Sequence, residues 1–446
     1  MQTSLDLVIS GGEALVYNLQ NGKIQKERVE IGVKDGKIAE IATQIAAPAK
    51  AKMNAKGLTI LPGAIDTQVH FRDPGFAEKE DLQSGSRAAL FGGVTSFFDM
   101  PNTKPPTLSA LDVADKISRA KNCWSNYAFY MGGAPSNVER LGELERVAGV
   151  CGVKIFMGSS TGQLIVGSDD NLEIAVKNIS RRFAVHAEDE PRLQERKKIV
   201  TESPGQVGLH PEWRDVETAM IATRKIIGLA RKYKKQVHVL HVTTADEAQF
   251  LADKKDCSSF EVTPQHLTLS APECYERLGT LAQMNPPIRD EKHRQGLWAA
   301  VRSGAADVIG SDHAPHTLAE KKGVYPNTPS GMTGVQTLLP LMVHHSLNGE
   351  LSLERVVEMT AQKPAELFKI KNKGRIQVGF DADFALVNLN ANKKIENSWI
   401  QSRCGWTPFD GMTLRAWVTA TVVNGHISYR DGEVIGTPKG QVLSFD

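Results

Sequence analysis

No CxxC pair occurs among the five cysteines, which are Cys123, Cys151, Cys257, Cys274 and Cys404. Their odd number and spacing argue against a disulfide framework and against a thiolate zinc site. The thiols are expected to stay free in a reducing cytoplasm, and metal ligands are to be sought among His, Asp, Glu and Lys. An excess of one charge is also missing. Lys plus Arg total 53 and Asp plus Glu total 51, a net charge of +2, so neither nucleic acid nor a membrane surface is expected as a partner. No apolar run is long enough to span a bilayer. The opening "MQTSLDLVIS" has no basic stretch followed by an apolar one, so no signal peptide is expected. Low-complexity segments, short-period repeats and a GxGxxG after a candidate strand are absent as well.

What is present is a long alternation. The 446 residues, 41% of them hydrophobic, suffice for one large domain and a smaller one. Eight short runs rich in β-branched or aromatic residues fill the middle: "TILPGAIDTQVHF", "GVTSFFDM", "NYAFYMGG", "GVKIFMG", "RFAVHAE", "QVHVLHVTT", "SSFEVTP" and "ADVIGSD". Helical stretches such as "VETAMIATRKIIGLARKYK" lie between them. The alternation predicts an α/β fold, a (β/α)8 TIM-like barrel over residues 59–373. The ends read differently. Residues 1–58 and 374–446 hold alternating apolar runs around "KDGKI" and "VVNGHI", and Asp-Gly and Asn-Gly are hairpin signals. The two ends are expected to combine into one small β-sandwich.

In such a barrel the chemistry sits at the carboxyl ends of the strands. The first candidate strand ends in His70 and Arg72, and the second runs into "DMPNT" with Asn102. The fourth carries Lys154, the fifth His186 and the sixth His241; the eighth ends in "GSDHAPH" with Asp312, His313 and His316. Folding would gather these into one mouth. Imidazoles with a carboxylate suit zinc, and a catalytic ion needs a position left open for water. Lys154 is flanked by apolar residues, where an ammonium is costly. Burial favours its neutral amine, which can add carbon dioxide to give a carbamate with two bridging oxygens. Blander readings are a carboxylate partner for Lys154 and a salt bridge from Arg72 to Asp73 or Glu78. His238, three residues before His241, is read as structural and on the opposite face. His210, His293, His344, His345 and His426 are given no role, and His313 is left unassigned.

The combination "PGAIDTQVHFRDPG", "GGVTSFFDMPNT", "GVKIFMGSSTG", "HAED", "HVLHVTT", "MNPPIR", "GSDHAPHT" and "CGWTPFDG" resembles the cyclic amidases of the amidohydrolase superfamily, and within them the dihydroorotases. The resemblance spans nearly the whole chain. It implies a binuclear zinc centre bridged by a carboxylated Lys154 (N6-carboxylysine) and a hydroxide, of which Gln68 leaves one or two ions. His70, Asp312 and the carbamate would hold one ion; the carbamate, His186 and His241 would hold the other. It also implies Asp312 as the proton shuttle, and Arg72, Asn102 and His316 as a grip on a substrate carboxylate. Asn285 would contact the substrate ring. A homodimer or homotetramer in the cytoplasm is implied, acting on the small molecules dihydroorotate and N-carbamoyl-aspartate. Two departures stand out. The family's HxH is here Gln68-x-His70, which makes Gln68 a weak or absent ligand. Its Pro-His-His is here Pro264-Gln265-His266. The rival expectations are another cyclic amidase, acting on hydantoins or allantoin, and a non-catalytic paralogue with a scaffolding role.

Overall fold

Eight runs of buried, mostly β-branched or aromatic residues pair in parallel, each with the next along the chain, in the computed structural model. They are β1 (Ala64–Val69), β2 (Val94–Asp99), β3 (Asn126–Gly132), β4 (Val150–Phe156), β5 (Phe183–His186), β6 (Val237–Val239), β7 (Ser258–Val262) and β8 (Val308–Ile309). The structure describes residues 4–158, 164–166 and 168–446. The ring closes just beyond β1 and β8, where Val69 bridges His313 and the His70 amide donates to the His313 carbonyl at 2.7 Å. Eight parallel strands joined by helices make the expected barrel.

Two of the candidate strands end earlier than the apolar pattern suggests. β6 and β8 stop short of His241 and Asp312, which take left-handed backbone angles of φ 35° and 44°. A residue there cannot continue a β ladder, so the chain turns and lifts both side chains away from the strand direction. His238 is affected too. It faces the barrel interior, with Nδ1 2.8 Å from Ser259 Oγ and its ring 5.5 Å from that of Phe368. The two histidines thus both point inward, at different depths. The expectation of opposite faces fails because strict alternation ends before His241.

The first candidate strand is two strands. Thr59–Pro62 belongs to a seven-stranded sheet, and β1 begins after Gly63. A Cβ on Gly63 would lie 2.1 Å from Thr95 Oγ1, so the crossing between sheets needs glycine there. Thr59–Pro62 runs antiparallel to Phe384–Asn388 and parallel to Glu13–Asn18, which joins the two chain ends. A four-stranded sheet from residues 5–54 covers one face of this seven-stranded sheet. Ile9, Ile31 and Val33 of the one pack with Ile60, Phe384 and Val422 of the other. The Asp35-Gly36 and Asn424-Gly425 turns have positive φ at all four residues, as hairpin turns of this kind require. The opposite face of the seven-stranded sheet lies on the barrel helix α1 (Leu82–Phe91), with Phe91 and Tyr429 rings 4.4 Å apart.

The amino end of the barrel is plugged. Phe98 and Tyr130 from the strands meet Phe368, with Leu443 and Phe445 from the C-terminal tail in the same cluster. The carboxyl end is fixed by a different set. Asp99 at the end of β2 accepts the Phe71 amide at 2.7 Å and pairs with buried Lys116 at 2.6 Å. The Phe71 ring fills the space between Phe97, His313 and α1.

On α1 the Phe71 ring lies against Gly85, where a Cβ would come within 2.5–2.7 Å of three ring atoms. Alanine normally favours a helix over glycine by about 1 kcal/mol. Here overpacking is expected to win, so Gly85→Ala should lower unfolding free energy by about 1–3 kcal/mol. Urea denaturation of the two proteins checks this; a more stable variant would mean the Phe71 ring is free to move.

Candidate active site

All ten residues singled out from the sequence as catalytic, substrate or metal groups line one cavity of about 380 Å³ at the carboxyl end of the barrel. Lys154, on β4, is fully buried, and its Nζ has no hydrogen-bond partner. It therefore does not take a carboxylate partner. Burial pushes its pKa down to about 7, so a large share of it is a neutral amine near neutrality. Beneath it Glu261 accepts from Thr67 Oγ1 at 2.6 Å, and burial raises its pKa to about 8.

The imidazoles are arranged by their partners. His186 Nε2 lies 2.7 Å from Glu188 Oε2, so that nitrogen carries the proton. Its Nδ1 is then a lone pair, and it faces His241 Nε2 at 3.0 Å. Burial holds both rings below the usual histidine pKa, in the neutral form. Burial alone would raise the pKa of Glu188, but the Arg214 guanidinium and His186 outweigh it and keep the carboxylate charged. Across the cavity, His70 Nδ1 lies 2.7 Å from Asn102 Oδ1 and donates to it. His70 Nε2 is left as a lone pair facing Asp312 Oδ1 at 3.2 Å. Gln68 Nε2 donates to the same Asp312 oxygen at 2.8 Å, and Gln68 Oε1 is buried without a partner.

These donors suit a cation. Two lone pairs facing each other at 3.0–3.2 Å repel unless a proton or a cation lies between them. Among the described residues no three imidazole, thiolate or carboxylate groups converge on one point. They come as two pairs, His186 with His241 and His70 with Asp312. Lys154, lining the same cavity, is the remaining group that could serve both once it carries carbamate oxygens.

The other side of the cavity carries a guanidinium and a carboxamide, each held by hydrogen bonds. Arg72 does not pair with Asp73, which instead meets Arg119 at 3.2 Å. Its Nε donates to the Pro315 carbonyl at 3.1 Å, and one terminal nitrogen donates to His316 Nε2 at 3.0 Å. The guanidinium is thus fixed in plane. Burial and the neighbouring Arg72 hold His316 neutral. Asn285 Oδ1 lies 3.0 Å from His210 Nε2, which orients the amide.

Sequence reasoning gave no role to several of these supports. Glu188 stands two residues after His186 in "HAED", a spacing that could have marked it. His210, Arg214 and Lys321 carry no such signal. Lys321 donates to the carbonyls of Gln283, Pro329 and Gly331 at 3.0 Å each. Burial pushes its pKa down to about 7, and the three accepting carbonyls oppose that shift by favouring the ammonium. His313 is a support as well, its Nδ1 accepting the Gly334 and Val335 amides. Gln265 donates to the Ser311 carbonyl at 2.6 Å.

Residues 59–428 match the model of the amidohydrolase family. A dihydroorotase of Pyrococcus abyssi is 35% identical over 95% of this chain and 96% of its own length. One of Halobacterium salinarum is 34% identical over 86% of this chain and 89% of its own. Among solved structures, an L-hydantoinase (dihydropyrimidinase) from Arthrobacter aurescens superposes with a TM-score of 0.92 at 28% identity, covering 99% of this chain and all of that one. Likeness of this extent, on a barrel whose mouth gathers these side chains, makes the chain a member of the amidohydrolase family, among its dihydroorotases.

Proposed function

We propose that this protein is a metal-dependent dihydroorotase, reversibly hydrolysing the cyclic amide of L-dihydroorotate to N-carbamoyl-L-aspartate in de novo pyrimidine synthesis. The observation that carries this reading is a single cavity with two unlike walls. One holds neutral nitrogen donors, a carboxylate and an uncompensated lysine; the other holds a planar, buried guanidinium.

His186, His241 and a carboxylated Lys154 would hold zinc, the pair His70–Asp312 flanking it. Zinc held there would supply activation of water and polarisation of an amide carbonyl. Lys154 supports the reading because a neutral amine, not an ammonium, adds carbon dioxide. Asp312 would take a proton from the attacking water and return it to the departing ring nitrogen. Arg72 offers the substrate carboxylate two parallel N–H bonds, with Asn102 and His316 beside it. Asn285 would contact the ring.

A hydantoin or allantoin lacks that carboxylate, so the Arg72 wall favours dihydroorotate. The high TM-score to an L-hydantoinase keeps another cyclic amide as the second reading. A scaffold protein would gain nothing from a buried, unpaired Lys154. A homodimer or homotetramer in the cytoplasm belongs to the same proposal; no helix among the described residues is long and apolar enough to cross a membrane.

Purified protein with zinc and bicarbonate should turn over dihydroorotate and not hydantoin or allantoin; the opposite preference would reject this substrate. Arg72→Ala should raise KM for dihydroorotate about 10- to 100-fold, and an unchanged KM would remove Arg72 from the carboxylate site. Asp312→Ala should lower kcat by about 10²–10⁴-fold. Glu188→Gln should weaken zinc binding about 10- to 100-fold in chelator competition, because Glu188 sets the His186 tautomer; unchanged zinc affinity would show His186 to be oriented by other means.

A further inference from the structure

Gln68 has no task in the chemistry so far. It stands on β1 where the family resemblance implies a histidine ligand. It is 1% exposed, with Nε2 2.8 Å from Asp312 Oδ1. The same oxygen lies 3.2 Å from His70 Nε2. The two distances carry different meanings. Atoms that share a tetrahedral zinc at about 2.0–2.1 Å stand about 3.3 Å apart, whereas 2.8 Å is a hydrogen bond. Turning the carboxamide over would place two oxygens 2.8 Å apart, so the nitrogen faces the carboxylate.

Asp312 needs holding. Its backbone is left-handed, φ 44°, three residues beyond a two-residue strand. Among the described residues, Gln68 and His70 are the groups that contact its carboxylate. His70 is itself committed to Asn102 through Nδ1. An imidazole at position 68 would bring a lone pair for an ion. The carboxamide brings an N–H to the very oxygen that the ion would use.

We propose that Gln68 is a positioning residue rather than a ligand: its amide N–H fixes Asp312 for proton transfer, and the chain works with a single metal ion at His186, His241 and Lys154. This rests on the hydrolase reading above. The donor takes over one duty of a second ion, orienting the carboxylate, without adding a positive charge.

The test is zinc content by atomic emission, after zinc loading and dialysis, alongside dihydroorotate kinetics and thermal melting. The wild-type chain should hold one zinc. Gln68→Met, alike in shape but without the N–H, should also hold one, with kcat lower by about 10- to 100-fold and KM changed less than about threefold. Gln68→His should hold two. Two zinc ions in the wild type, or a loss of zinc in Gln68→Met, would make Gln68 a ligand and overturn the proposal. So would an unchanged kcat in Gln68→Met. If Gln68→Met does not fold, Gln68→Leu provides the same comparison. A wild-type chain with neither zinc nor turnover would instead reject the hydrolase reading itself; two zinc ions with turnover would overturn the proposal and leave that reading standing.

Discussion

A buried ammonium ion needs a counter-charge or accepting carbonyls around it, and Lys154 has neither. Its amine is fully buried and makes no hydrogen bond. Glu261, one of the two acids whose charge reaches it, is itself pushed toward its neutral form. The floor of the cavity is therefore low in net charge and rich in lone pairs. Much of the mouth follows from that condition. Imidazoles in such a place lose their extra proton, as burial does to His186 and His241. Charge is admitted only where a partner is in contact, as at Glu188 with Arg214 or Asp99 with Lys116.

A neutral imidazole is useful only if the right nitrogen is free, and here each is set by its neighbour. Glu188 claims Nε2 of His186, which turns Nδ1 to the cavity. Asn102 claims Nδ1 of His70, which turns Nε2 to Asp312. His210 plays the corresponding part for an amide, bonding Asn285 Oδ1. In these contacts the supports act through the groups they orient. They settle direction, and direction decides whether a lone pair meets a cation or a repelling neighbour.

The barrel and its mouth were legible in the sequence because parallel strands leave buried apolar runs and place their polar residues just past the run. That rule finds His70, His186 and Asp312 without any contact information, whereas Lys154 stands out as a lone charge inside such a run. It fails where a boundary is not marked by polarity. "TILPGAIDTQVHF" is apolar on both sides of Gly63, so the change of sheet there was hidden, although Thr95 leaves no room for a side chain. It also fails where support comes from afar. His210 and Arg214 lie on a short helix and in the turn after it, and nothing local ties them to Asn285 or Glu188. The meeting of the chain ends was only an expectation, since the register of Ile60 with Leu386 joins residues more than three hundred positions apart.

The left-handed turns at His241 and Asp312 show how the frame and the chemistry are connected. Each breaks its strand early and stores strain on a residue with a side chain. Such strain persists only when surrounding bonds over-determine it. For His241 the surroundings are the packed barrel end and His186. For Asp312 they are the neighbouring bridge between Val69 and His313, the Gln68 amide and His70. The bridge that closes the barrel thus joins the residues immediately after Gln68 and Asp312. A one-residue shift in that closure would separate the carboxamide from the carboxylate. The fold's last ladder contact and the orientation of its proton carrier are therefore one constraint, met at one place.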